Sequence, residues 1–456
     1  ESLAGGEELQ NQISNACNVF SKPKIKSIRR LRNAFESHGS DSLIKPYLVL
    51  MARNLQSLIF CSELKKLHLL VRALDYSHEI FAQFVDFLHV AYTESEYKSC
   101  IPSALMLKES YNLSPDVVFK IHRKHFRISE FVETSKLESL NTRNLFSAAH
   151  RTSKWYSVND RLCILFWNLS LHHIHIPERC YSDMISKLTF QNRDTNSSSL
   201  SSKQITLENI SDCIRHLKLE KLNQKKDVYR TQILLRSLSN IFPSDLPERA
   251  ESICSNLMQN LVLPRCSTSI SDAMFTAKFF ESLRQNIQHF NFFQYFDVVM
   301  EDLEKKIECC TDFEAEHYGY FLEESFRKII FFNYGHGHLE KESSHMSSTK
   351  REGDMIYSQT KIKKLIDWHR KLVHTFTNFL REGSRYDIRK SLVILNKISS
   401  FPVLLNHGEI ILHEVNKICS SCVYDDVKTI TRSYDAHLKQ RKISWMTEDQ
   451  LIQKKE

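Results

Sequence analysis

The chain has 456 residues, of which 42% are hydrophobic and 25% charged, with 62 basic against 54 acidic residues and a formal net charge of +8. Nine glycines and nine prolines are roughly 2% each, against about 7% and 5% in average chains, which disfavours folds rich in tight turns or phosphate-cradling loops. General disorder is excluded by the apolar fraction and 28 phenylalanines, and no apolar run approaches the roughly 20 residues that span a bilayer.

In chain order, residues 1–45 read as a basic, partly ordered segment carrying Lys22, Lys24, Lys26, Arg29, Arg30 and Arg32. Residues 46–190 read as a helical-repeat part. Within it Ile80, Phe84, Phe87, Leu88 and Ala91 recur at i, i+4, i+7, i+8 and i+11, the period of a helix with one core-facing side. Ile164 to Leu171 carries a similar pattern. A Ser-rich stretch, 191–206, is expected to be a flexible loop. A second helical-repeat part, 207–332, contains Phe275, Phe279 and Leu283, with Pro243 and Pro247 bracketing a turn. Residues 333–356 gather Gly335, Gly337, three histidines and several charges, and read as an exposed loop. The part 357–445 returns to helical periodicity through Leu392, Leu395 and Ile398, and 446–456 reads as the start of a charged tail. Two-residue alternation bounded by Asn-Gly or Asp-Gly turns is absent. The fold class expected is all-α, an irregular HEAT-like helical repeat or α-solenoid, because no strict repeat period is visible. The chain does not begin with Met and is expected to be a piece of a longer protein.

Twelve cysteines scattered without a framework point to a reducing compartment, cytosol or nucleus. His172, His173 and His175 are the most suggestive metal candidates, but adjacent helical residues diverge by about 100°, and the i, i+4 spacing of a zinc-binding helix is missing. Surface histidines at a helix end before Pro177 explain them better. Cys419 and Cys422 form a lone Cys-x-x-Cys with no second ligand pair and no thioredoxin-like setting, so one side of a helix accounts for them. Phosphate-loop, dinucleotide and nucleophile-elbow motifs are absent. Glu323 and Glu324 are expected on a solvated helix face. No catalytic residue, metal or cofactor is therefore expected. The basic group Lys361, Lys363, Lys364, Arg370, Lys371, Arg385, Arg389 and Lys390 is the better lead, since on paired helices it would form a surface for RNA or an acidic partner. The competing reading is a solvated helix face. Trp368 and Tyr386 are the obvious aromatics for base stacking, and Trp368 suits a core equally well.

An ordered string of local signatures resembles the THO complex subunit 2 family. It runs from Phe166-Trp167-Asn168-Leu169-Ser170, Ile176-Pro177 and Tyr181 through Pro264-Arg265-Cys266, Ser269, Asp272-Ala273, Phe275 and Phe279. It continues with Asn291-Phe292, Phe296-Asp297, Glu314-Ala315, Tyr318-Gly319, Trp368-His369, Ile388-Arg389, Lys397-Ile398, Pro402 and Asn406, and closes at Leu438-Lys439 and Arg441-Lys442. The likeness covers about 155–442, with a looser one over about 43–126. His172-His173 stand where the family usually has Tyr-Asp. The resemblance implies a nuclear, non-enzymatic scaffold, one component of a hetero-oligomer with the other THO subunits. It further implies engagement of the DEAD-box RNA helicase of TREX and of messenger ribonucleoprotein, in transcription-coupled processing and export. Read physically, Trp167, Phe275 and Phe279 are expected in the core, and Arg265 and Arg389 are the residues to test first as functional, because an Arg in an apolar motif needs an acceptor and can present a fork to phosphate or carboxylate. Other classes remain: a helical RNA-binding adaptor of the translation-initiation-scaffold type, outside THO, and a metal-dependent hydrolase, which would require stoichiometric zinc.

Overall fold

The computed structural model describes residues 2–6, 8–10, 12–13, 21–36, 42–59, 67–123, 160–196, 202–238, 247–287, 290–334, 352–398 and 401–453. Among them the fold is all-α, with no strand; the sole β feature is an isolated bridge between Leu404 and Met446. The chain divides into two units, 1–247 with 282–290, and 248–281 with 291–456.

The first unit contains α1 (Ser21–Glu36), α2 (Ile44–Ile59), α3 (Leu67–Ala91), α4 (Glu94–Cys100), α5 (Ala104–Glu109), α6 (Pro115–His122), α7 (Asp160–Asn168), α8 (Glu178–Asn196) and α9 (Ser202–Arg236). Short connections make sequence neighbours pack as pairs, α2 on α3, α5 on α6 and α8 on α9. The periodicity of α3 is real but its phase differs from the expected one. Phe81, Phe84, Val85 and Leu88 are buried, whereas Ile80 is 52% exposed and Phe87 half-buried. The apolar arc of α3 is wider than the face its neighbours cover, so packing selects the buried stripe. Of the predicted Ser-rich loop, 191–196 extends α8 and 202–206 opens α9, while 197–201 lies outside the described residues.

Leu9, Tyr181, Met184, Leu188 and Leu217 form a core shared by α8, α9 and the N-terminal residues. Polar groups inside it are satisfied. The Tyr181 hydroxyl accepts from the Gly6 amide at 3.0 Å and donates to Glu220 at 2.9 Å. The Gln224 amide donates to the carbonyls of Ala4 and His175 at 2.7 and 2.9 Å. One buried glutamine thus ties the N-terminal residues and the turn before α8 to α9, where an unmet carbonyl would cost about 1–3 kcal/mol.

The second unit contains α10 (Pro247–Leu257), a π-helical turn Met258–Val262, α11 (Leu263–Cys266), α12 (Ile270–Asn286), α13 (Phe292–Glu301), α14 (Leu303–Cys309), α15 (Asp312–Tyr334), α16 (Glu352–Glu382), α17 (Arg385–Lys397), α18 (Leu405–Ser421), α19 (Asp425–Arg441) and α20 (Glu448–Gln453); α10 begins at the unit boundary and α12 crosses it. Pro264 lies in the first turn of α11, where its missing N–H is tolerated, directly after the π turn. Helices pack on the next but one as well as on the next, giving a row α15–α17–α19 and a second row α16–α18, the arrangement of stacked helical repeats. Gly319 lies where α15 crosses α17. A Cβ there would stand 2.8 Å from Lys397 Cβ and 3.2 Å from the Ile394 carbonyl, so glycine sets the closeness of that crossing. Of the expected exposed loop 333–356, residues 333–334 end α15 and 352–356 begin α16, and 335–351 lies outside the described residues.

Candidate interaction surface

The basic cluster is set on α16 and α17, and the helices around it supply carboxylates to three of its cations, Lys364, Arg385 and Arg389. Lys364 pairs with Asp297 of α13, whose other oxygen accepts from Trp368 Nε1 at 2.7 Å, so α16 is tied to α13 through one aspartate. Arg370 pairs along its own helix with Asp367 at 2.8 Å. Arg389 Nε donates to Asp312 at 2.6 Å and its Nη1 to Asp426 at 3.2 Å. One guanidinium fork from α17 therefore bridges α15 and α19, the whole row. Arg385 takes the other Asp426 oxygen at 3.0 Å and stacks over Tyr424 at 4.5 Å. The hydrogen bond to Asp426 raises the Arg385 pKa; burial alone would raise the Asp426 carboxyl, but its arginine partners hold it below the usual range.

Lys390 does not belong to a surface. It is buried, and its ammonium donates to the Glu308 carbonyl at 2.8 Å and pairs with Asp387 at 3.2 Å. Lys363 and Lys371 are exposed and make no ion pair among the described residues. The side chain of Lys361 lies outside them, although its backbone is within α16. The cluster is thus chiefly a set of ties between helices, because carboxylates distant in sequence meet it in space. In the first unit, Lys26, Arg29 and Arg30 are exposed on α1, whereas Arg32 is held by Glu36, Glu96 and the Ala91 carbonyl. The side chains of Lys22 and Lys24 lie outside the described residues.

Arg265 is placed in the core, with 1% of its surface exposed. Its Nε donates to Asp272 at 2.9 Å, and its guanidinium carbon lies 3.6 Å from the Phe275 ring centroid. Asp272 also accepts from Thr268 and Ser269 at 3.0 and 2.8 Å, while the Ser269 hydroxyl accepts from the Asp272 amide at 3.1 Å at the start of α12. The acceptor that this arginine requires is thus internal, and the guanidinium is not presented to an outside ligand. Phe275 and Phe279 are fully buried, with ring centroids 5.4 Å apart. Trp167 is buried and stacks on Phe119 at 5.6 Å.

Glu323 and Glu324 are not on a solvated face. Both are buried; Glu324 pairs with Lys278 at 2.8 Å and Glu323 with Arg327 at 3.0 Å. His172 and His173 belong to a 3-10 turn, Leu171–His173, where the His173 Nδ1 accepts from the Ser170 amide at 2.9 Å. Burial lowers the His172 pKa to about 4, and the ring borders a cavity of ≈ 200 Å³ together with His89, Lys120 and Arg123. Cys419 lies in α18 and Cys422 caps its C-terminus. Among the described residues no three His, Cys, Asp or Glu side chains converge as metal ligands would, and no helix is long and apolar enough to cross a membrane.

Residues 155–438, well over half the chain, match the family model Tho2, described as transcription factor/nuclear export subunit protein 2. The chain belongs to the Tho2 family. It is similar to THO complex subunit 2 of Arabidopsis thaliana, 24% identical over 501 residues covering 99% of this chain and 27% of that protein. The Mus musculus subunit is 23% identical, covering 100% of the chain and 31% of the relative, and the Saccharomyces cerevisiae subunit 24% identical, covering 62% and 16%. This Tho2-family chain therefore spans less than a third of the length of these curated relatives. The matched segment takes in α7, the buried Arg265–Asp272 pair, the Gly319 crossing and the Arg389 fork. Family signatures of this kind are here mostly packing devices.

Proposed function

We propose that this Tho2-family chain is a segment of a non-enzymatic nuclear scaffold, the THO complex subunit 2 type. It holds other THO subunits and the DEAD-box RNA helicase of TREX on nascent messenger ribonucleoprotein, and so couples transcription to processing and export. The observation that carries this reading is similarity over essentially the whole chain to proteins named THO complex subunit 2 in a plant and a mammal. The rows of stacked helices support it, because such arrays offer extended surfaces whose geometry is fixed between neighbours. The ion pairs at Arg389, Lys364 and Arg385 fit the same reading as inter-helix ties. They count against a direct RNA role for the cluster as a whole, since a cation already paired with a carboxylate is less free to neutralise a phosphate and displace its counterions.

ATP chemistry belongs, in this reading, to the helicase partner, and the scaffold acts by favouring one arrangement of the helicase lobes. The test is the ATPase rate of the helicase with and without THO assembled on the full-length subunit. A higher rate with saturable dependence on the scaffold is expected. An unchanged rate together with no detectable binding would overturn the helicase part of the proposal.

A further inference from the structure

The helix α9 has two apolar faces. Leu217 and Leu235 are buried with Gln224 and Thr231 on one face, and Leu217 packs with Tyr181, Met184 and Leu188 of α8. On the opposite side Leu219, Leu222, Tyr229 and Ile233 are exposed by 54%, 49%, 61% and 45%. At about 100° per residue these four side chains and Lys226 fall within an arc of about 80°, centred roughly 180° from the buried face. Their spacing follows the alternating three and four residues of a heptad seam, with Leu219, Lys226 and Ile233 at one seam position and Leu222 and Tyr229 at the other. The seam runs about 21 Å, three heptad layers of one kind and two of the other.

Charge at the seam's edges is of one sign. Lys218 and Lys225 border it on one side and Arg230 on the other, with Lys226 within the seam. Lys218 and Lys226 make no ion pair among the described residues; Lys225 reaches Glu178 at 2.7 Å and Arg230 reaches Asp227 at 3.1 Å. Two copies of this face would set these cations against each other in either direction. A helix with acidic residues at the corresponding edges would instead pair with them, and a single lysine in the seam favours one register.

We propose that this outward face of α9 docks one amphipathic helix of a different protein, apolar along its seam and acidic at both edges. The docking covers Leu219, Leu222, Tyr229 and Ile233 and draws its selectivity from Lys218, Lys225, Lys226 and Arg230. It is independent of the helicase reading.

The test uses the full-length protein and two labelled synthetic peptides of four heptads, both with Leu along the seam, one with Glu and the other with Lys at the edge positions. Fluorescence anisotropy reads binding. The acidic peptide is expected to bind saturably and the basic one ~ten-fold or more weakly, with the difference shrinking as salt rises. Leu222→Glu combined with Tyr229→Glu should weaken the acidic peptide ~ten-fold or more while leaving the circular-dichroism melt in place, since both side chains are exposed. Lys218→Glu with Lys226→Glu should shift preference toward the basic peptide, a reversal that misfolding cannot produce. No saturable binding of the acidic peptide, equal binding to the Leu222/Tyr229 variant, or no change of preference in the charge-reversed variant would overturn the proposal. So would a self-associated form in sedimentation that the Leu222/Tyr229 variant dissolves.

Discussion

Replacing Asp272 by Ala should strongly destabilise the second unit. It leaves the Arg265 guanidinium 1% exposed and pressed on Phe275 without the carboxylate it meets at 2.9 Å. It also removes the carboxylate that accepts from the Ser269 hydroxyl, while the Thr268 hydroxyl keeps the Arg265 carbonyl as acceptor. Removing one partner of a buried ion pair costs about 3–5 kcal/mol, because the remaining charge has lost its compensation in a poorly polarisable interior. In a unit of this size each kcal/mol lowers Tm by about 2–4 °C, so the expected fall is about 6–20 °C. Arg265→Met alone should also destabilise, through the aspartate left behind. The double variant should be more stable than the sum of the singles implies, by about 1–3 kcal/mol, because neither charge is then stranded. Calorimetric melts of the wild type, both singles and the double measure that coupling. Additive effects, or a Tm for Asp272→Ala within about 2 °C of wild type, would refute the assignment of this pair to the core.

Trp167→Ala should cost about 3–5 kcal/mol in the first unit, read by denaturant unfolding, since its ring is buried against Phe119. Gly319→Ala should destabilise by about 1–3 kcal/mol although alanine favours helices, because its Cβ would meet Lys397 at 2.8 Å; unchanged stability would relocate the α15–α17 crossing. Burial among Phe326, Phe401 and His407 pushes His369 down to about 3, below its ordinary 6.5. Between these values the unfolded chain takes up a proton that the folded chain does not, so stability is full above about pH 6.5 and falls by about 1.4 kcal/mol per pH unit as acid is added. His369→Phe should flatten that slope, measured as Tm against pH from 6.5 to 4.5. Arg389→Ala should cost about 1–2 kcal/mol and leave Asp312 and Asp426 without their shared bridge.

Helix was legible in the sequence because scarce glycine and proline and a 3.6-residue period point one way, and α3, α12 and α17 carry that period openly. What the period did not fix was its phase, as Ile80 illustrates: a broad apolar arc allows several buried stripes, and only the neighbouring helix decides among them. Arg265 and Arg389 stood out as arginines needing acceptors. Their acceptors, Asp272 seven residues away and Asp312 and Asp426 on other helices, became evident only when the chain was folded. The same limit applied to Lys390 and to Glu323 and Glu324, whose burial depends on packing between helices. The seam of α9 was present in the sequence as Leu219, Leu222, Tyr229 and Ile233, but its exposure shows only once Leu217 and Leu235 are seen to fill the other side.

Membership in a THO assembly can be checked by purifying the tagged full-length protein from its own cells under native conditions and quantifying the copurifying proteins by mass spectrometry. The other THO subunits should be recovered in amounts comparable to the tagged chain, with the DEAD-box helicase present as well. Recovery of the chain without THO subunits would contradict that membership.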